Sequence, residues 1–302
     1  GSASAGVSLF AAGYFRKGEG TAPGVLGLEY HLFLASMGFV LVADDAYAFM
    51  VAWETMALTS YFLVTSQHGI PEIRSAGFLY LLMAHVGAIA ILLSFGILQG
   101  GTWLFSFDAM RASTLSTPWA TAAFLLALFG FGAKAGLLPL HVWLPEAHPA
   151  APSPVSALMS GVMLKTAIYG VLRVTFDLIG DPLWWWGLIP LALGLATAIF
   201  GVVFAAVQTD MKRLLAYSSV ENIGVLFTGI GLAIVFHGVG MTELAALALT
   251  VQAHRRSTEL ARMQTDFVAH VSHQLKTPLS LLSTATETLQ MDRIRSPEKL
   301  SE

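Results

Sequence analysis

With 302 residues, 55% of them hydrophobic and 12% charged, the chain carries more apolar side chains than the core of a soluble domain can bury, and its mean hydropathy is +0.68. That surplus excludes a soluble enzyme. The formal net charge of −3 points to no class of partner, and the absence of cysteine leaves no disulfide, thiol catalysis or cysteine-bound metal cluster.

A hydrocarbon layer of ~30 Å is crossed by ~20 helical residues. Apolar runs of about that length recur seven times, at 26–42, 46–66, 77–98, 119–142, 155–176, 183–207 and 214–236. They are continuous rather than alternating, so the backbone is satisfied in lipid by helices and not by a β-barrel. The expected fold is all-α: a polytopic bundle of seven transmembrane helices, one of them broken, followed by a soluble amphipathic helix. Residues 1–25 are read as an N-terminal stub, because the apolar stretch 3–15 is too short to cross and lacks the basic start of a signal peptide. The opening Gly1 in place of Met suggests the remnant of a lost helix.

Charges inside the runs are few and costly, ~2.5 to 3.5 kcal/mol each at mid-helix, so each is a functional-site expectation by default. Glu54 lies in the second run, Lys134 in the fourth and Lys165 in the fifth. A carboxylate and two amines at similar depth suit a proton relay; a static pair of Glu54 with Lys134 holding two helices together is the alternative. His85, in the third run, and His31, in the first, are read either as satisfied core histidines or as relay members. Around Lys134 the string GFGAKAGLLPL sets glycines on both sides and Pro139 five residues on, a pattern that breaks a membrane helix and lines a water-filled path. The proline-rich loop that follows contains His141 and His148, and Ser153 before Pro154 is a candidate N-cap for the fifth span.

Basic residues set the orientation. With seven alternating spans, Arg16, Lys17, Arg74, Lys212 and Arg213 fall on one face and Arg111 and Arg173 on the other. The first group, and with it the loop of His148, is expected in the cytoplasm. Near Thr250 the composition turns charged and polar. The apolar join 244–253 would cover ~15 Å, half a bilayer, and is not expected to cross. This divides the chain into 1–25, 26–250 and 251–302.

Three stretches carry a family likeness: WETMALTSYFLV at 53–64, GAKAGLLPLHVWLPEAHPAAPSPVSALMSGVMLKTAIYG at 132–170 and DMKRLLAYSSVENIG at 210–224. Here the chain resembles the antiporter-like membrane subunits of respiratory complex I and their relatives in hydrogenase 4 and formate hydrogenlyase. The resemblance implies a subunit that moves protons or Na⁺ across a bacterial inner membrane, driven by redox chemistry in partner electron-transfer and membrane subunits of an NADH-quinone oxidoreductase or hydrogenase type complex. It makes Glu54 the channel glutamate, Lys134 the lysine of the broken helix and Lys165 the lysine linking the path across the subunit, with His141 and His148 in the matching loop as further candidates; His85 is a candidate from its place in the third run alone. The family has two inverted repeats of five helices. Here the first is complete over 26–176 and the second stops as its third helix begins, so an incomplete ion path is expected.

The tail resembles a second family. FVAHVSHQLKTPLSLL at 267–282 is similar to the phosphoacceptor helix of sensor histidine kinases, which implies His273 as the phosphorylated residue, a bend at Pro278 and a hairpin dimerisation partner. Gln274 stands where that family carries an acidic residue, and no nucleotide-binding domain follows. A membrane-anchored kinase fragment and a non-functional fusion of two gene fragments are therefore the alternatives to ion translocation. No cofactor, metal or nucleic-acid partner is expected, and no complete catalytic site, so enzymatic activity is left open.

Overall fold

The computed structural model describes residues 6–9, 11 and 21–250. Of the two units into which the chain divides, Gly1–Leu249 and Thr250–Glu302, the first is described together with Thr250. The expected soluble helix, its dimerisation surface and His273 lie outside the described residues.

Seven helical segments are long and apolar enough to cross a membrane: Pro23–Val42, Ala46–Val64, Pro71–Leu98, Thr117–Ala150, Ser153–Leu178, Trp184–Ala206 and Met211–Gly238. Proline in the first turn opens the first, third, fourth and fifth, where its missing N–H has no intrahelical partner to lose. Asp45 and Asp210 cap the second and seventh, accepting from Ala48 N–H and Arg213 N–H at 2.8 Å each. The expected cap at Ser153 is not made. Pro152 occupies the cap position, Ser153 is already helical, and no side chain bonds the first turn. The third span starts six residues before the apolar run at 77, its first turns carrying Glu72 and Arg74.

The fifth span departs from regular α geometry twice, with π turns at Met159–Met163 and Arg173–Leu178. Several hydroxyls in the spans return to their own helix, as Thr55 to Val51 O at 2.7 Å and Thr121 to Thr117 O at 2.8 Å, while Ser94 donates across to Ala123 O at 2.8 Å and Thr175 Oγ1 is buried without a partner.

The fourth span is the centre of the bundle, with 67% of its apolar window buried, while the sixth is the edge with 22%. The sixth and seventh spans approach through small residues, whereas the second meets the third and fourth through Phe49, Trp53, Phe95 and Phe131. Gly187, Gly194 and Gly201 on one helix face Gly224, Gly231 and Gly238 on the next; a Cβ added at Gly194 would stand 2.5 Å from Thr228 N and one at Gly224 2.3 Å from Ala198 N. Gly87 and Gly130 bring the third and fourth spans equally close.

Apart from charges inside the spans such as Glu54, Lys134 and Lys165, charged side chains form two clusters at helix ends. At one, Arg213 pairs with Glu146 at 3.0 Å and Lys212 donates to Pro149 O and Ala151 O at 3.2 and 2.9 Å. At the other, Arg111 and Arg173 share Asp177 at 2.8 and 3.1 Å, and Arg173 reaches Asp44 at 3.9 Å. The hydrogen bond to Asp177 and the surrounding carboxylates raise the pKa of Arg111 further above its ordinary value, so it remains charged.

Candidate functional site

The break in the fourth span shapes the site. Helix Thr117–Ala135 stops because Gly136 turns left-handed at φ 84°, and the N–H groups of Gly136 and Leu137 both close on Gly132 O at 3.0 and 2.9 Å. The chain resumes as a 3₁₀ turn, Leu140–Trp143, and a short helix, Leu144–Ala150. Opening a helix in lipid strands backbone groups, and side chains take them up: Trp143 Nε1–H donates to Ala133 O at 2.8 Å, and Leu138 N–H to Thr197 Oγ1 at 3.1 Å.

Lys134 sits in the last turn before the break, where free carbonyls favour a cation. It is 3% exposed. Its Nζ donates to Tyr80 Oη at 2.7 Å and lies 4.7 Å over the Tyr80 ring. Tyr80 Oη in turn is 2.5 Å from Ser60 Oγ, and Ser60 Oγ is within bonding distance of Met56 O and Ala57 O at 2.5 and 3.0 Å. Neither Tyr80 nor Ser60 stood out in the sequence, since hydroxyls are ordinary in membrane helices.

Glu54 does not pair with Lys134. Among the described residues its ion pair is with His85, Nε2 to Oε2 at 3.6 Å, with the side chains 32% and 47% exposed respectively. His85 Nδ1 lies 3.0 Å from Leu81 O, so that nitrogen must carry a hydrogen to donate. A neutral ring would then turn a lone pair toward the carboxylate; the contact is attractive only when the pair holds one more proton.

Lys165 follows the first π turn and donates to Ser160 O. Ser160 Oγ is 2.7 Å from Ser219 Oγ on the seventh span. His148 is buried, with Nδ1 at 2.9 Å from Ser156 Oγ and Nε2 without a hydrogen-bond partner; His141 Nδ1 is likewise buried and unpartnered, its ring 4.7 Å from that of Phe200. The structure thus brings the site residues into separate small groups, Lys134 with Tyr80 and Ser60, Glu54 with His85, and Lys165 with the Ser160 and Ser219 pair. Among the described residues no three His, Asp or Glu side chains gather as a metal site.

The profile of the transmembrane family described as NADH:quinone oxidoreductase/Mrp antiporter matches residues 43–283, most of the chain. The chain belongs to this family. Hydrogenase-4 component B of Escherichia coli (strain K12) is 46% identical over 231 residues, covering 76% of this chain and 34% of that protein. Formate hydrogenlyase subunit 3 of the same organism is 34% identical over 227 residues, covering 74% and 35% respectively. The solved Mrp complex from Dietzia sp. DQ12-45-1b contains a chain with 27% identity and a TM-score of 0.66, covering 85% of this chain and 29% of that one. The chain spans about a third of the length of the curated relatives it matches. As an NADH:quinone oxidoreductase/Mrp antiporter family member it is a multi-pass membrane chain, and its relatives are subunits of multi-subunit complexes.

Proposed function

We propose that the chain is an ion-translocating subunit that moves protons, or Na⁺, across a bacterial inner membrane within a redox-driven assembly of the NADH-quinone oxidoreductase or hydrogenase type. The observation that carries this reading is Lys134: an amine 3% exposed, at the break of a membrane helix, with no carboxylate of the described residues in ion-pairing reach. A lysine kept only for structure would be expected to hold a carboxylate, because an unpaired buried ammonium is expensive. Lysine, a compact ammonium on a flexible stem, is a residue type that can take up and release a proton when buried.

The remaining roles rest on the family likeness and on placement. Glu54 with His85 forms an outer proton-holding pair, Lys165 continues the path toward the seventh span, and His141 and His148 serve the segment after the break. Electron-transfer and membrane subunits supply the driving reaction.

The full chain, reconstituted into liposomes with a pH-sensitive dye inside, is expected to dissipate an imposed pH gradient or take up labelled Na⁺. Glu54→Gln and Lys134→Ala should each lower that flux roughly tenfold or more, the effect of losing one charge-assisted interaction. Unchanged flux in both variants would sink the reading.

A further inference from the structure

We infer that Tyr80 and Ser60 form a reversible hydroxyl pair that positions Lys134 in both of its protonation states, which makes Tyr80 a positioning residue for ion translocation. The inference rests on the reading of Lys134 as an ion-carrying amine.

Three spans converge on this point. Ser60 comes from the second, Tyr80 from the third and Lys134 from the fourth; their relative exposures are 0%, 1% and 3%, so no bulk solvent competes. The heavy atoms stand in sequence, Nζ to Oη at 2.7 Å and Oη to Oγ at 2.5 Å, with the carbonyls of Met56 and Ala57 beyond. The fifth span closes the group through Met163, whose sulfur is 3.7 Å from Oη.

Donor and acceptor arithmetic gives the pair two arrangements. An ammonium has only hydrogens to offer, so Tyr80 Oη accepts from Lys134 and gives its own hydrogen to Ser60 Oγ, a stronger acceptor than the Met163 sulfur, while Ser60 donates to a carbonyl of its own helix. A neutral amine has a lone pair to fill: Tyr80 O–H turns toward Nζ, and Ser60 turns its hydrogen from the carbonyl to Tyr80 Oη. Neither hydroxyl gains or loses a proton; only the direction of each O–H changes. A carboxylate in place of Tyr80 would satisfy the first arrangement alone. The phenol therefore holds the amine at one position while its charge changes, and the aromatic face adds an attraction that favours the cation.

Tyr80→Phe removes the hydroxyl and keeps the ring, its packing on Trp143 at 5.0 Å and the cation–π contact. In the full chain labelled with ¹⁵Nζ-lysine and embedded in liposomes, the Lys134 resonance is assigned by its disappearance in Lys134→Arg. Tyr80→Phe is expected to move that resonance and the pH at which it titrates, and to slow flux roughly tenfold, as the loss of a hydrogen bond to a charged group does. Ser60→Ala should move the same resonance less, and the double variant should lose little beyond Tyr80→Phe, because both act through one chain. A Lys134 resonance and titration unchanged by Tyr80→Phe, or flux unchanged while the resonance moves, would overturn the inference. Failure of the unsubstituted chain to carry any ion overturns the translocation reading beneath it; parent flux that survives Tyr80→Phe leaves that reading standing and removes only this one.

Discussion

At the scale of single residues, the informative fact is the kind of partner each charge keeps. Lys134 is held by a phenol and an aromatic face, Glu54 by a histidine, and Lys165 by a backbone oxygen. Burying an ammonium with no counter-charge costs stability that an apolar side chain of similar length would not, so Lys134→Met is expected to raise the thermal midpoint in detergent while abolishing flux, a gain on the order of 1–3 kcal/mol. A lower midpoint would mean that the lysine holds the bundle together, the role expected of a static ion pair. These charged positions were legible because ionisable residues are rare in apolar runs. Their partners were not. A tyrosine twenty residues from Ser60 and fifty-four from Lys134 is chosen by how the second, third and fourth spans pack, and nothing local in Tyr80 or Ser60 marks it.

At the scale of elements, sequence signals with a backbone mechanism were readable. The glycines and proline around Lys134 forecast the break, and Gly136 performs it by entering a conformation that costs a side-chain-bearing residue roughly 1–2 kcal/mol. Gly136→Ala is expected to lower stability by about that amount and to disturb the seat of Lys134, measurable as a reduced melt midpoint with reduced flux. The π turns of the fifth span, Met159–Met163 and Arg173–Leu178, carry no local signature in the sequence. The glycines spaced by seven on the sixth and seventh spans were visible but acquire meaning only when the two helices are antiparallel and in register. Gly194→Leu would drive a side chain into the Thr228 and Gly224 backbone and should destabilise by about 1–3 kcal/mol or more, whereas Gly96→Leu, with open space around it, should leave the melt nearly unchanged.

At the scale of the whole molecule, the two charged ends carry the orientation. Arg213, Glu146 and Lys212 meet at one end and Arg111, Arg173, Asp177 and Asp44 at the other, so Lys212 falls with Arg213 and Arg111 with Arg173, as in the count along the chain; Arg16 and Lys17 lie outside the described residues. Because the chain is free of cysteine, single substitutions report directly on sidedness. Gln67→Cys and Thr209→Cys are expected to react with an impermeant thiol reagent only from the cytoplasmic side, and Thr102→Cys only from the opposite one; a reversed pattern would invert the orientation.

The sequence by itself determined the membrane class, the seven spans, the break and the rare charges, because each follows from one-dimensional properties: apolar length against bilayer thickness, glycine and proline backbone limits, and the cost of an ion in lipid. Tertiary structure alone decided that Lys134 meets Tyr80 rather than Glu54, that Glu54 meets His85, and that two glycine faces interlock. In lipid, apolar helices have no preference for one another through burial alone, so register and partner are settled by close backbone approach and by hydrogen bonds that exist only after the spans have packed.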